Sequence, residues 1–333
     1  MATIKDVARV AGVHPATASR ALNPLLRGRI SAATTARVEA AAAELGYVVD
    51  PIGRSLRTQR SGIVGVLVPD LLNPFYPPLL RGIERGLRAA GFEALIASTD
   101  NDARREPELL AVLRGRRCEG YLVATATRDD PAVAALAREG VPLVLVNRLT
   151  AVDTPAVVSD DARGIGEAVE HLRSLGHTRI GHVAGPAELS VAASREAAYR
   201  AAVAEPHVAR AAQMTAAAGR AACRDLLGDR VTAILAANDM IAVGCYAALD
   251  DAGLRCPQDV SLVGINDMPL AAWLRPPLST VAIPQEELGA AAARLVIERI
   301  GAPSAAPRTV TLPTGLVVRG STARSEQRVQ LGP

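Results

Sequence analysis

Two short capped helices flank a glycine turn in the first 22 of 333 residues, and no other stretch constrains the fold so tightly. Thr3-Ile4-Lys5-Asp6-Val7-Ala8 starts a helix, with Thr3 as its cap and Asp6 three residues on as an acidic partner. Ala11-Gly12-Val13 supplies a tight turn, with glycine where the backbone needs a positive φ. His14-Pro15-Ala16-Thr17-Ala18-Ser19-Arg20-Ala21-Leu22 opens a second helix, with Pro15 at the position where its missing N–H costs nothing. Together these make a helix-turn-helix, whose second helix has the form that enters a DNA major groove.

A third helix is expected from Ser31 to Leu45, with Val38, Ala41, Ala42 and Leu45 on one face and Gly46 as its stop. Charge agrees with the motif. Residues 1–60 carry nine Lys and Arg against four acids, a net +5, so the rest of a +3 chain is slightly acidic. A basic head on a near-neutral body is the electrostatic footprint of a nucleic-acid binder. Asp50-Pro51-Ile52-Gly53-Arg54-Ser55-Leu56-Arg57 encodes a further helix, too short to be secure and weakened by Gly53. It reads as a hinge that orders on DNA.

From Ser61 the pattern changes to alternating strands and helices. Ile63–Val68 is a continuous run of the kind buried on both faces of a sheet. Helix 79–90, strand 94–97, a helix around 107–113, strand 120–124, helix 131–138 and strand 143–146 follow. A second set begins at Arg179 and runs through helices 194–204 and 217–227, strand 233–235, helix 240–251 and strand 261–265. Helix 286–300 could join either set. The expectation is two similar open parallel sheets with a cleft outside their carboxyl ends.

Cys118, Cys223, Cys245 and Cys256 show no metal or redox spacing, and no GxGxxG after a strand, GxxxxGK[ST] or GxSxG occurs. Neither an enzyme nor a cofactor is expected. His171, His177 and His182 do not share a helical face and read as ordinary. No apolar h-region follows the start and no apolar run reaches ~18 residues, so a cytoplasmic protein without a membrane partner is expected.

At the level of ordered motifs the chain resembles the lac-repressor/galactose-repressor family of bacterial transcriptional regulators. The matching segments are Thr3–Ala8, Thr17–Asn23, Glu44-Leu45-Gly46-Tyr47, Arg54-Ser55-Leu56, Asn73-Pro74-Phe75, Ser159-Asp160-Asp161, Ala237-Asn238-Asp239 and Pro276–Thr280. The resemblance implies a small all-α helix-turn-helix head (1–49), a hinge helix and linker (50–60), and an α/β core (61–330). That core is implied to have two doubly wound parallel-sheet lobes like those of periplasmic binding proteins. Lobe one would comprise about 61–160 plus 286–320, and lobe two about 161–285. Also implied are double-stranded DNA with a near-palindromic operator, a small-molecule effector such as a sugar, and a homodimer, with a tetramer left open. A solute-binding protein would explain the lobes but not the basic head. A regulator answering to a protein partner instead of a metabolite is the remaining alternative.

By resemblance, Pro15, Ala16 and Arg20 face bases, with Arg20 able to grip guanine bidentately. Thr3, Thr17 and Ser19 suit phosphate, while a capping role for Thr3 competes equally well. Arg54 belongs to the hinge, and Leu56 matches the leucine that wedges into the central minor groove. Asn23–Ile30 is longer and more basic than the family's usual loop.

For the effector, Phe75, Tyr76 and Trp273 map to the cleft as flat apolar faces, and Arg195 matches an arginine that reaches the ligand. Asn238 and Asp239 open a helix after a strand, and capping alone could account for one of them. Asn147 and Asp160 are further candidates. Two departures bear on ligand choice. Asn266 stands where the family commonly has an aspartate, and the segment Glu205–Gln213 is shortened beside the lobe-two cleft.

Overall fold

The computed structural model describes residues 2–22, 29–47 and 60–325, and divides the chain into units 1–63 and 64–333. Most of the basic loop (Asn23–Gly28) and the hinge residues Arg54 and Leu56 lie outside the described residues.

The first unit contains α1 (Ile4–Val10), α2 (Pro15–Ala21) and α3 (Ala32–Glu44). Val7, Ala8, Ala11, Ala18, Ala21, Val38, Ala41 and Ala42 form its core, so the three helices are held by small side chains at close approach. Thr3 and Asp6 cap α1 reciprocally. The Asp6 N–H donates to Thr3 Oγ1 at 3.4 Å, and the Thr3 N–H donates to Asp6 Oδ2 at 2.9 Å. Gly12, at φ +63°, turns the chain from α1 into α2.

In the second unit, six strands form each of two sheets. The first contains β1 (Ile63–Val68), β2 (Glu93–Ser98), β3 (Gly120–Val123), β4 (Leu143–Val146), β5 (Ala156–Ser159) and β11 (Thr309–Leu312). Its order is β11-β5-β4-β3-β1-β2. The second contains β6 (Ile180–Ala184), β7 (His207–Arg210), β8 (Ala233–Ala236), β9 (Ser261–Asn266), β10 (Ser279–Ala282) and β12 (Gly315–Val317), in the order β12-β10-β9-β8-β6-β7. Each sheet therefore reverses direction beside its first strand, the switch point at which open α/β sheets form a crevice.

The helices of this unit are α4 (Tyr76–Ala89), α5 (Arg105–Gly115), α6 (Pro131–Arg138), α7 (Asp161–Ser174), α8 (Ser190–Ala202), α9 (Ala216–Leu227), α10 (Asp239–Asp251) and α11 (Gln285–Gly301). Helix α4 starts at Tyr76 rather than at Leu79, because Pro77 and Pro78 fall in the first turn, where no N–H is needed. Helix α8 starts four residues before the expected Ser194.

The late helix α11 packs on α4 and on β3, β4 and β5, which places it in lobe one. The expected extent of lobe one to residue 320 needs correction. β11 pairs with β5, but β12 pairs antiparallel with β10 in the other sheet, so the chain crosses between lobes a third time at 312–315. The chain beyond it is tied to lobe two. Leu262 N–H donates to Ser321 O (2.8 Å), and His177 Nε2 donates to Ala323 O (3.0 Å) while its Nδ1 accepts from Thr232 Oγ1 (2.9 Å).

Candidate functional site

On α2, Ala18 and Ala21 are buried in the head's core, so Pro15, Ala16 and Arg20 are left on the outer side. Ala16 and Arg20 are exposed; Pro15, Thr17 and Ser19 are half-buried. His14, absent from the sequence-derived candidates, caps this helix by accepting the Ala16 N–H at Nδ1 (3.2 Å). Thr3 is exposed, and its hydroxyl is engaged with Asp6 Oδ2 at 2.7 Å. The outer side of α2 thus carries the Arg20 guanidinium beside the small apolar side chains of Pro15 and Ala16.

In the core, a cavity of about 360 Å³ opens between the two sheets. Its walls are built from residues that follow strand carboxyl ends: Asp70 after β1, Thr99 after β2, Thr125 after β3, Asn147 and Arg148 after β4, Asn238 after β8, and Asn266 closing β9. Of the nine effector candidates, Phe75, Tyr76, Asn147, Arg195, Asn238 and Asn266 line it. The structure places the other three elsewhere. Asp160 caps α7, accepting the Arg163 N–H (3.2 Å). Asp239 is fully buried, accepting from Thr280 Oγ1 (2.6 Å) and Met268 N–H (2.8 Å), so its carboxylate ties helix to sheet. Trp273 sits on a short 3-10 turn, 73% exposed and outside the cavity.

Phe75 and Tyr76 meet edge to face on the cavity wall, with centroids 5.2 Å apart at 87°. Arg195 is 1% exposed. Its Nε donates to Asp161 Oδ1 at 3.1 Å and its Nη1 to Ala237 O at 2.7 Å, while Nη2 is buried with no partner. Asp161 also accepts from Ser159 (3.0 Å) and Ser194 (3.0 Å), which fixes the guanidinium in place. Asn238 caps α10, its Oδ1 accepting the Ile241 N–H (2.7 Å), and also lines the cavity.

Asn147 and Asn266 both have positive φ, +59° and +127°. Asparagine tolerates the left-handed region better than other residues with a Cβ, and strain of this kind is concentrated at binding sites. Asn147 Oδ1 is buried without a partner. Both amides can donate as well as accept, unlike a carboxylate.

The sequence reading missed Arg148, Glu106, Thr125 and Gln213, all lining the cavity. Arg148 was within reach of inference, as it follows Asn147 at a strand end; its Nη1 donates to Thr125 O (2.7 Å), and its Nε is buried and unpartnered. Gln213 ends the shortened segment after β7, beside the lobe-two wall as anticipated. Glu106 and Thr125 are 19 apart in sequence and only the fold joins them, with Thr125 Oγ1 donating to Glu106 Oε1 at 2.8 Å. Burial, then the neighbouring Asp130 carboxylate, push the Glu106 carboxyl up to about 7. Among the described residues no His, Cys, Asp and Glu cluster suits a metal.

A helix-turn-helix unit in the same chain as a two-lobed ligand-binding core defines a ligand-responsive DNA-binding protein. Comparison with known proteins agrees. Residues 3–50 match the bacterial regulatory proteins of the lacI family, and residues 169–322 match the periplasmic binding protein-like domain. The ribose operon repressor of Escherichia coli (strain K12) is 35% identical over 332 residues, covering 96% of this chain and 100% of that protein. The regulator MalR of Streptomyces coelicolor is 36% identical, covering 96% of each. Among solved structures, the lac repressor dimer bound to operator and the anti-inducer ONPF superposes with a TM-score of 0.84 at 26% identity, covering 97% of this chain and 99% of that one. A LacI family regulator from Enterococcus faecium with bound ribose gives 0.70 at 31% identity, over 79% of this chain and all of that one. The chain belongs to the lacI family of bacterial regulatory proteins, and is a DNA-binding regulator of transcription.

Proposed function

We propose that this protein is a homodimeric repressor whose grip on a near-palindromic operator is set by a sugar bound between the lobes. The observation that carries the reading is the cavity wall. The Phe75–Tyr76 face offers a ring something to stack on, and Asn147, Asn238, Asn266, Arg148 and Arg195 surround it with amide and guanidinium groups for hydroxyls. Relatives named as ribose operon repressors, and a ribose-bound neighbour, support a monosaccharide.

In this reading Arg20 reads a guanine, with Pro15 and Ala16 against neighbouring base edges and Thr3, Thr17 and Ser19 beside phosphates. Arg54 and Leu56 act at the operator centre, Leu56 as the wedge that kinks it. Closure of the lobes on sugar alters the spacing of the paired heads, so that one bound state favours DNA and the other does not. Such a regulator works in the cytoplasm, where its operator is; among the described residues no helix is long and apolar enough to cross a membrane.

The test is a thermal-unfolding series of the full chain with D-ribose, other pentoses, hexoses and cellobiose, paired with operator binding by fluorescence anisotropy. A cognate sugar at about 100 times its Kd adds ~2.7 kcal/mol of stability, and the same sugar shifts operator affinity. Stabilisation without any change in DNA binding would refute the allosteric part of the reading; stabilisation by no sugar would refute the sugar itself.

A further inference from the structure

Asn266 differs from the rest of the cavity wall in its backbone. It closes β9, is 7% exposed and has φ +127°, and Asp267 follows it at +53°. Two successive residues with a Cβ at positive φ are strained, and such a kink persists only where its surroundings hold it. Two of the holding contacts come from lobe two. Thr280 Oγ1 accepts the Asp267 N–H (3.3 Å) while donating to Asp239. Arg319 pairs with the Asp267 carboxylate (2.7 Å), and is itself fixed by its N–H on Ser279 Oγ (2.9 Å) and its Nη1 on Leu278 O (2.9 Å).

The third contact comes from the other lobe. Gln285, the first residue of α11, donates from Nε2 to the carbonyl oxygen of Asn266, which also accepts the Ile283 N–H at 3.5 Å. Here the chain passes from β10, which ends at Ala282 in the second sheet, to α11 on the first. The Gln285 amide does not cap its own helix, which has Glu286 and Glu287 in its first turn and takes no side-chain cap. Gln285 does not line the cavity whereas Asn266 does, so its route to a ligand runs through Asn266.

We propose that Gln285 is a positioning residue for the effector: reaching out of lobe one, it holds the Asn266 carbonyl and so sets the direction in which the Asn266 amide meets a sugar hydroxyl. The proposal rests on the sugar reading above. An amide aimed by a strained backbone is only as well placed as the contacts that keep the strain in place. Without the Gln285 donor the Asn266 peptide is free to rotate towards a relaxed φ, and the side chain turns with it. The bond also makes a lobe-two ligand group depend on a lobe-one residue at the crossing.

The experiment is calorimetric titration of the full chain with D-ribose and with cellobiose, on a double-mutant cycle. Gln285→Met keeps the length of the side chain and loses the donor. Gln285→Glu keeps the shape, loses the donor, and adds an acid where the first turn of a helix favours one. Each is expected to weaken sugar binding about three- to tenfold, the worth of one hydrogen bond, with the urea midpoint of Gln285→Glu held at the wild-type value. Asn266→Ala weakens binding as well, and adding Gln285→Met to it weakens binding no further, because the group that Gln285 aims is gone. Unchanged affinity in both Gln285 variants, unchanged affinity in Asn266→Ala, or losses that add in the double variant overturns the assignment and leaves the sugar reading standing. Binding of neither sugar by the wild type overturns both.

Discussion

Arg20 and Arg195 place the same side chain in opposite surroundings, one exposed and one buried. Arg20 is exposed at the end of α2 and has five donors to offer a base edge. Arg20→Ala is expected to cost ~1–3 kcal/mol of operator affinity, concentrated at one guanine position. Binding assays on a set of single-base operator variants check this, and an even loss across all of them would assign Arg20 to phosphate. Arg195 is buried, paired with Asp161, and its substitution is felt twice. Arg195→Ala is expected to weaken ligand binding and to leave Asp161 buried without its cation. Breaking such a pair costs ~3–5 kcal/mol; the Ser159 and Ser194 hydroxyls still donate to Asp161, so the lower end is expected. Urea unfolding measures it, and an unchanged midpoint would show that the pair adds nothing net.

At the scale of elements, both lobes join a helix pair through glycine. A Cβ on Gly289 of α11 would come within 2.1 Å of Leu79 O on α4, and one on Gly82 of α4 would meet Glu286 O at 2.0 Å. In lobe two a Cβ on Gly244 of α10 would meet Ala216 O at 2.1 Å, and one on Gly219 of α9 would meet Ile241 O at 2.6 Å. These neighbours are backbone, which cannot rotate away, so the helices would have to separate. Gly289→Ala and Gly244→Ala are each expected to destabilise by at least ~1–3 kcal/mol. Gly166 of α7 meets nothing within 4 Å. Gly166→Ala is expected to stabilise by ~0.5–1 kcal/mol, because it gains helix propensity without a clash. Thermal melts of the three variants decide the matter. Equal effects would mean that glycine acts here only through backbone entropy.

Across the whole molecule, buried groups pull pH-dependent stability in opposite directions. His182 is fully buried, donating from Nδ1 to Leu235 O (2.8 Å) and stacked on Tyr199, and burial depresses it from 6.5 to about 4. Its contribution is present above pH 6.5 and is lost as the pH falls towards 4. Burial raises Asp239 to about 6 and, with Asp130, Glu106 to about 7. Their contributions are present at low pH and are lost as the pH rises through those values. With two acids set against one histidine, the wild type should lose urea midpoint as the pH rises from 4.5 to 6. His182→Gln should lose it more steeply over that range, and Asp239→Asn should stay nearly level, since Glu106 and His182 then offset one another. Parallel curves for all three proteins would show that these groups do not control the profile.

What was legible in the amino acids was whatever a local run of residues can enforce. The Thr3–Asp6 cap, Gly12, Pro15 and the Ile63–Val68 strand act on their own neighbourhoods, so the head and the α/β alternation could be read before any coordinates. Strands β5, β7, β10, β11 and β12 went unread, since each has three or four residues and takes its identity from the strand beside it. The site divided in the same way. Asn147 and Asn238 declare themselves by standing at strand ends, and Phe75, Tyr76, Arg195 and Asn266 by matching or departing from a family pattern. Trp273 was assigned to the cleft by the same resemblance, yet it lies on an exposed turn, because a matching position carries no information about which way the side chain faces. Glu106, Thr125 and Asp130 are unremarkable until β3, α5 and α6 bring them together, and the third crossing of the chain at 312–315 is set only by which sheet edge β12 finds. Local sterics and hydrogen bonding act between neighbours in sequence, whereas burial and charge coupling act between neighbours in space, and those exist only once the two sheets have formed.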